Sequence, residues 1–283
     1  MQTLLRSATA QVKIATDGPA VVIGEKINPT GRKRLAAAFE QGNLDYVVEM
    51  AQTQVAWGAD VLDINVGVPG LDDVQMLPQV VRLVASVTDV PLCIDTPSAT
   101  ALAAALDVAP GKPLVNSVNG EEKSLSTVLP LVKDRGAAVI GLTMDDAGIP
   151  ESAEGRLKVA ACIIERATAL GIPIEDIIID PLVLTVGADF RAASTTLETI
   201  RRVRAEFGVN INLGASNVSF GLPDRHTLNQ AFLALAIAAG ASSLITDPMK
   251  LTGTIRATDL MLGRDPHSKR FVRFFRQHVP ESR

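Results

Sequence analysis

Eight short apolar runs alternate with helix-period segments from one end of this chain to the other. They read AVVIGEKI (20–27), DVLDINV (60–66), PLCIDT (91–96), PLVNSV (113–118), AAVIGLTM (137–144), DIIIDPLV (176–183), NINLGASN (210–217) and SSLITDP (242–248). Each is rich in Val and Ile and almost continuously apolar up to its polar end, the pattern of a strand buried on both faces. Between the runs, apolar residues recur at helical spacing. Val74, Leu77, Val80, Val81 and Val84 form one stripe, and Leu125, Val128, Leu129 and Val132 another. Segments 152–170, 194–207 and 227–240 keep the same period. Gly136, Gly171, Gly208 and Gly240 stand where a helix gives way to the next strand, the place for a left-handed closing residue. Eight such units predict a single-domain (β/α)8 TIM barrel. The alternative, a doubly wound open sheet, needs a Gly-rich phosphate turn after its first strand, and GEKINPTG matches GxGxxG poorly.

The barrel is expected over residues 20–262. Residues 1–19 form an N-terminal segment placed over the barrel floor, and 263–283 a C-terminal helix. That helix sets Phe271, Phe274 and Phe275 on one face, ringed by Lys269, Arg270, Arg273 and Arg276. It reads either as a closing helix with snorkelling cations or as a docking face for a protein. A formal charge of −4 creates no basic field for nucleic acid or anionic lipid. The first residues lack the apolar core of a secretory signal, and AFLALAIAAGA is too short to span a bilayer, so a soluble, cytoplasmic protein is expected. Cys93 and Cys162, without CxxC spacing, are expected to be two buried thiols in a reducing compartment.

In a parallel barrel the strand ends converge on one mouth, where binding and catalytic residues collect. The polar residues there are Glu25 and Asn28, Asp63 and Asn65, Asp95, Asn116 and Asn119, Asp180, Ser216 and Asn217, and Asp247. Asp and Asn also serve as caps and turn residues at such places, and Asp72 and Ser152 read as N-caps. Asp95 differs, since it lies within its strand and must find partners when buried. With no Lys or Arg facing inward at neighbouring strand ends, Asp95, Asn116, Asp180 and Asn217 describe a pocket for a flat ligand rich in N–H donors. Other chemistries fit less well. His226, His267 and His278 belong to no zinc motif, and no GxSxG elbow occurs. A divalent cation on Asp63, Asp95, Asp180 and Asp247 stays open but is weakened by the interleaved asparagines. Lys26 as a Schiff base is a weak candidate, because its neighbours alternate to the other face.

The ordered set GEKINPTG (24–31), DINVG (63–67), CIDT (93–96), VNS (115–117), IDPL (179–182) and GASNVSFGLPDR (214–225) resembles the pterin-binding barrel family. It is most similar to the methyltetrahydrofolate:corrinoid methyltransferases and to the folate domain of cobalamin-dependent methionine synthase. The resemblance covers about residues 20–262, and six pieces in order are more specific than any one. It implies that Asp95, Asn116 and Asp180 hydrogen-bond the pterin ring and that Asn217 sits at N5 as the catalytic residue. Glu25, Asn28, Phe220 and Arg225 are implied as further substrate contacts. It implies 5-methyltetrahydrofolate and tetrahydrofolate as substrates, cobalt of a corrinoid as methyl acceptor or donor, and a homodimer. The string DPHSKR (265–270) lacks the glycine of a corrinoid-binding DxHxxG, so the corrinoid is expected on a partner protein. Thr96 where relatives often carry Ser, and Lys26 and Pro29 in a variable stretch, leave the subfamily open. The alternatives are a dihydropteroate synthase-like transferase, whose loop after the seventh strand carries basic residues where this chain reads SNVSFG, and a folate-binding subunit without catalysis.

Overall fold

The computed structural model describes residues 1–278. All eight predicted strands form: β3 (Val21–Ile27), β4 (Val61–Ile64), β5 (Leu92–Asp95), β6 (Leu114–Asn119), β7 (Ala138–Leu142), β8 (Ile177–Asp180), β9 (Asn210–Gly214) and β10 (Ser243–Thr246). They pair in parallel and in sequence order, and β10 closes on β3 to complete a barrel. The helices are α1 (Lys33–Glu40), α2 (Asp45–Ala56), α3 (Asp73–Val87), α4 (Ala99–Leu106), α5 (Glu122–Arg135), α6 (Ala153–Ala169), α7 (Ala192–Phe207), α8 (Arg225–Ala239), α9 (Pro248–Met261) and α10 (Lys269–His278). The predicted stripes are the packed ones: Leu77, Val80, Val81 and Val84 are buried in α3, as are Leu125, Val128, Leu129 and Val132 in α5. Asp72 and Ser152 cap α3 and α6 by accepting from amides of the first turn. One large apolar cluster fills the space between strands and helices; a second lies inside the barrel.

The N-terminal segment is an antiparallel hairpin, β1 (Gln2–Arg6) with β2 (Gln11–Ala15). Its Leu5 and Ile14 are fully buried with the interior residues Val21, Ile23, Val61, Cys93, Leu114, Ala138, Ile140 and Ile178. Arg6 and Lys112 exchange backbone hydrogen bonds, and Asn210 donates to Thr3 Oγ1 at 2.9 Å. The hairpin thus stops the end of the barrel opposite the mouth.

Two expectations are corrected. Cys93 is buried, but Cys162 is exposed. Along α6 the packed residues are Val159, Ala160, Ile163, Ile164 and Ala167, and position 162 turns away from that stripe. In α10 the three phenylalanines do not share one packed face. Phe274 lies edge-on to Trp57 and stacks on His278, whereas Phe275 is exposed. Arg270 pairs with Asp60 and Asp259, so this cation is part of the docking contact. The predicted helix residues 279–283 lie outside the described residues. Among the described residues, no helix is long and apolar enough to cross a membrane.

Candidate active site

A cavity of about 420 Å³ opens at the C-terminal ends of the strands. Its polar wall includes Asp63, Asp95, Asn116, Asp180 and Asn217, and Leu142, Leu182, Val183 and Ile245 supply the apolar part. Glu25, Asn28 and Arg32 line it from the side of β3. The strand register produces this convergence. Asp95 of β5 lies beside Asn116 of β6, and Leu142 of β7 beside Asp180 of β8. The volume falls in the range of small-molecule sites.

Asparagines hold the carboxylates in place. Asn65 Nδ2 donates to Asp95 at 3.0 Å, Asn116 Nδ2 to Asp63 at 3.1 Å, and Asn212 Nδ2 to Asp180 at 2.9 Å. The Leu182 amide adds a donor to the other Asp180 oxygen at 2.9 Å. No Lys or Arg ion pair reaches Asp63, Asp95 or Asp180 among the described residues. Burial therefore dominates their titration. It pushes Asp180 up to about 6 against the opposing pull of the Leu182 amide and Asn212. Burial raises Asp95 as well, and raises Asp63 with further help from the Asp95 charge. Beneath them the Cys93 thiol is held protonated by burial first and the Asp63 charge second. A carboxylate held high by desolvation, with lone pairs still free, gains from any ligand that brings N–H donors.

The rim has different chemistry. Glu25 accepts from Ser216 Oγ at 3.3 Å and lies 3.8 Å from Arg32. Burial raises its carboxyl and Arg32 opposes the rise. Lys26 pairs with Asp247 at 2.5 Å, which occupies the ammonium considered above for Schiff-base chemistry. The Asn28 side chain accepts from the Thr30 amide at 3.0 Å, shaping its own turn. Asn217 sits in a short 3-10 turn after β9, exposed on the cavity wall, and its amide has no hydrogen-bond partner among the described residues. Phe220 and Arg225 do not line the cavity. Phe220 is 68% exposed on the rim. Arg225, at the start of α8, donates to the Ser216 carbonyl at 2.7 Å and to Ser219 Oγ at 3.1 Å, bracing the turn that carries Asn217.

Asp63 and Asn65 were placed at the mouth from the sequence, but without the roles they have here, Asp63 lining the cavity and Asn65 bracing Asp95. Asn212 and Arg32 were passed over. Asn212 lies inside the β9 run, where an amide between Ile211 and Leu213 was itself a signal of a buried partner. Arg32 carried no signal, because it precedes a helix outside every strand run.

A parallel eight-stranded barrel with a carboxylate-rich, amide-braced mouth defines the class. The chain belongs to the pterin binding enzyme family, whose profile matches residues 24–247. It is similar to the methylcorrinoid:tetrahydrofolate methyltransferase of Eubacterium limosum, with 31% identity over 267 residues covering 91% of this chain and 96% of that protein. It is also similar to the methionine synthase of Mycobacterium tuberculosis, 30% identical over 274 residues that cover 92% of this chain and 22% of that longer protein. The crystal structure of Yersinia pestis dihydropteroate synthase superposes with a TM-score of 0.72 at 18% identity, covering 93% of this chain and 100% of that one, a likeness of fold.

Proposed function

We propose that this chain is a methyltransferase that moves the N5-methyl group between 5-methyltetrahydrofolate and the cobalt of a corrinoid held by a partner protein. The observation that carries the reading is the convergence of Asp95, Asn116, Asp180 and the unpartnered Asn217 amide on one cavity. A reduced pterin presents N–H donors and a carbonyl along its pyrimidine edge. Asp95 and Asp180 match the donors, and Asn116 offers both a donor and an acceptor. Each charge-assisted bond contributes roughly 1.5–3 kcal/mol. The methyl leaves N5 with its bonding electrons staying on nitrogen, so a proton on N5 favours departure toward the nucleophilic cobalt that the partner supplies. In the reverse direction N5 is the nucleophile and the same contacts serve.

Asn217 does not titrate near neutrality, so it is no general acid. Its amide accepts from a protonated N5 or, rotated, donates to a neutral one. Preference for the protonated, transition-state-like species makes its contact catalytic rather than merely adhesive. Glu25 and Asn28 contact the folate from the β3 side. Arg225 acts by fixing the Asn217 turn, and Phe220 offers an apolar rim to the incoming partner. The reading includes a cytoplasmic location and a homodimer, the latter checked by sedimentation. The sequence has no DxHxxG string, and the exposed rim leaves room for a corrinoid carried by another protein.

The deciding experiment mixes the protein with cob(I)alamin and 5-methyltetrahydrofolate and follows the cobalt absorption spectrum. Conversion to methylcobalamin at a rate proportional to protein supports the proposal. Folate binding without conversion leaves a binding subunit, and pyrophosphate release with p-aminobenzoate and a pterin pyrophosphate selects the synthase instead.

A further inference from the structure

Arg156 is the largest fully buried side chain of the protein, 1% exposed, on the first turn of α6. A buried guanidinium ordinarily has a carboxylate against it. Among the described residues Arg156 has no ion-pair partner. Its donors go to the backbone: Nε to the Pro150 carbonyl at 2.9 Å, and Nη1 to the Pro181 and Leu182 carbonyls, each at 2.9 Å. Thr196 Oγ1 of α7 stands 3.4 Å from Nη1 and itself donates to the Leu182 carbonyl at 3.0 Å. One side chain therefore joins the loop after β7, the loop after β8 and the next helix.

The joined carbonyls immediately follow Asp180. Leu182 has a φ of +59°, a left-handed conformation that a branched side chain rarely adopts unaided. In that conformation its N–H points back at Asp180 Oδ1 while its carbonyl turns toward Arg156. We propose that Arg156 is a positioning residue of the pterin site: by gripping the Pro181 and Leu182 carbonyls it fixes the turn whose amide orients the Asp180 carboxylate. The proposal rests on the folate reading above, in which Asp180 receives the pterin.

A residue that held only the fold would affect stability and leave ligand chemistry in the folded protein unchanged. Arg156 has a second handle, because its charge opposes the rise that burial imposes on Asp180. The groups that face Asp180 are the Leu182 amide of its own loop, the Gly214 amide and Asn212 of β9, and Arg156 of α6. The other carboxylates of the cavity are Glu25, Asp63 and Asp95. Loss of the guanidinium therefore moves the acid limb of folate binding to higher pH.

The test measures 5-methyltetrahydrofolate affinity between about pH 5 and 8, and turnover with cob(I)alamin, for the full chain and for Arg156→Lys, Arg156→Met and Thr196→Val. Circular dichroism reports the folded fraction of each. Arg156→Lys keeps the charge but loses the planar fork, so KM for the folate rises about tenfold while kcat changes less than about threefold. Thr196→Val removes one donor to the Leu182 carbonyl and weakens binding by about threefold. The acid limb moves up in Arg156→Met and stays in Arg156→Lys. If Arg156→Met does not fold, the affinities of the other two variants decide. Folded variants with wild-type affinity and pH profile overturn the positioning role alone. A wild-type chain that binds no folate overturns the functional reading and this proposal together.

Discussion

Asp180 has both oxygens bonded yet titrates near 6, because burial outweighs its two nearest donors, the Leu182 amide and Asn212. The sign of its contribution to stability follows. Its folded-state value lies above the ordinary 3.8, so the native state holds the proton more tightly than the unfolded chain. That contribution is complete below about pH 4 and is lost as pH rises through about 6, a loss of about 3 kcal/mol. The ligand-free protein should therefore show a falling thermal midpoint from pH 4.5 to pH 7, and Asp180→Asn should flatten that slope. A slope identical in the two proteins would remove Asp180 as its source. Binding runs the other way, since N–H donors prefer the ionised carboxylate, so folate affinity should weaken as pH drops through about 6. Asn217 has no titration to lend. Asn217→Ala should lower the methyl-transfer rate by about 100-fold while changing folate affinity by less than about tenfold. Stopped-flow spectra at saturating folate and calorimetric titration separate the two quantities, and an unchanged rate would take N5 away from this residue.

At the scale of elements, the informative irregularity is in β3. Its pairing with β4 shifts between Gly24 and Ile27, and in that gap the Lys26 amide donates to the Gln54 side chain of α2 at 2.8 Å. The shift is where Glu25 and Lys26 turn toward the rim. A Cβ on Gly24 would sit 2.5 Å from Gln54 Oε1 and 3.2 Å from Leu62 Cδ2. Gly24→Ala should thus expel Gln54, leave the Lys26 amide without its acceptor, and cost about 2–3 kcal/mol along with folate affinity. Gly136→Ala, at the left-handed close of α5 with open space around it, should cost about 1 kcal/mol and leave affinity unchanged. Urea unfolding and folate titration of the pair distinguish a strand that positions the site from a helix end that does not. The difference between these elements also explains what could be read beforehand. The eight barrel strands were legible because burial on both faces writes a continuous apolar run. Helices α3 and α5 were legible because one face of each is apolar. Helices α2, α4 and α9 went unnamed among residues whose apolar spacing marks no single face, and α1, although Leu35, Ala38 and Phe39 share a buried side, spans only eight residues. At the site, strand ends located the carboxylates, but their partners did not follow. Which asparagine reaches which aspartate depends on neighbouring strands, and Arg156 was hidden as one polar residue in a helical segment.

For the molecule as a whole, stability and recognition are divided between the two ends of one cylinder. The floor is closed by the hairpin, whose Leu5 and Ile14 are fully buried against the interior layer of Val21, Ile23, Val61, Leu114 and Ile178. The mouth is lined by the carboxylates and left open. A core this close-packed does not refill a deleted side chain, so Leu5→Ala should cost about 2–5 kcal/mol. The same variant should bind 5-methyltetrahydrofolate within about twofold of wild type at temperatures where it is folded, because contact-free sites behave additively. The reciprocal variant, Asp95→Asn, places a donor or a neutral acceptor where the proposed function brings the pterin N–H groups. It should weaken binding by at least about tenfold. It should also slightly stabilise the ligand-free chain at pH 7, since burial disfavours the Asp95 charge it removes. The two variants thus predict opposite signs on stability and unequal losses of affinity from opposite ends of the barrel. Chemical unfolding with and without saturating folate reads all four quantities. A Leu5→Ala protein that stays folded yet loses folate binding would show that the floor transmits strain to the mouth, and the division of labour drawn from the fold would fail.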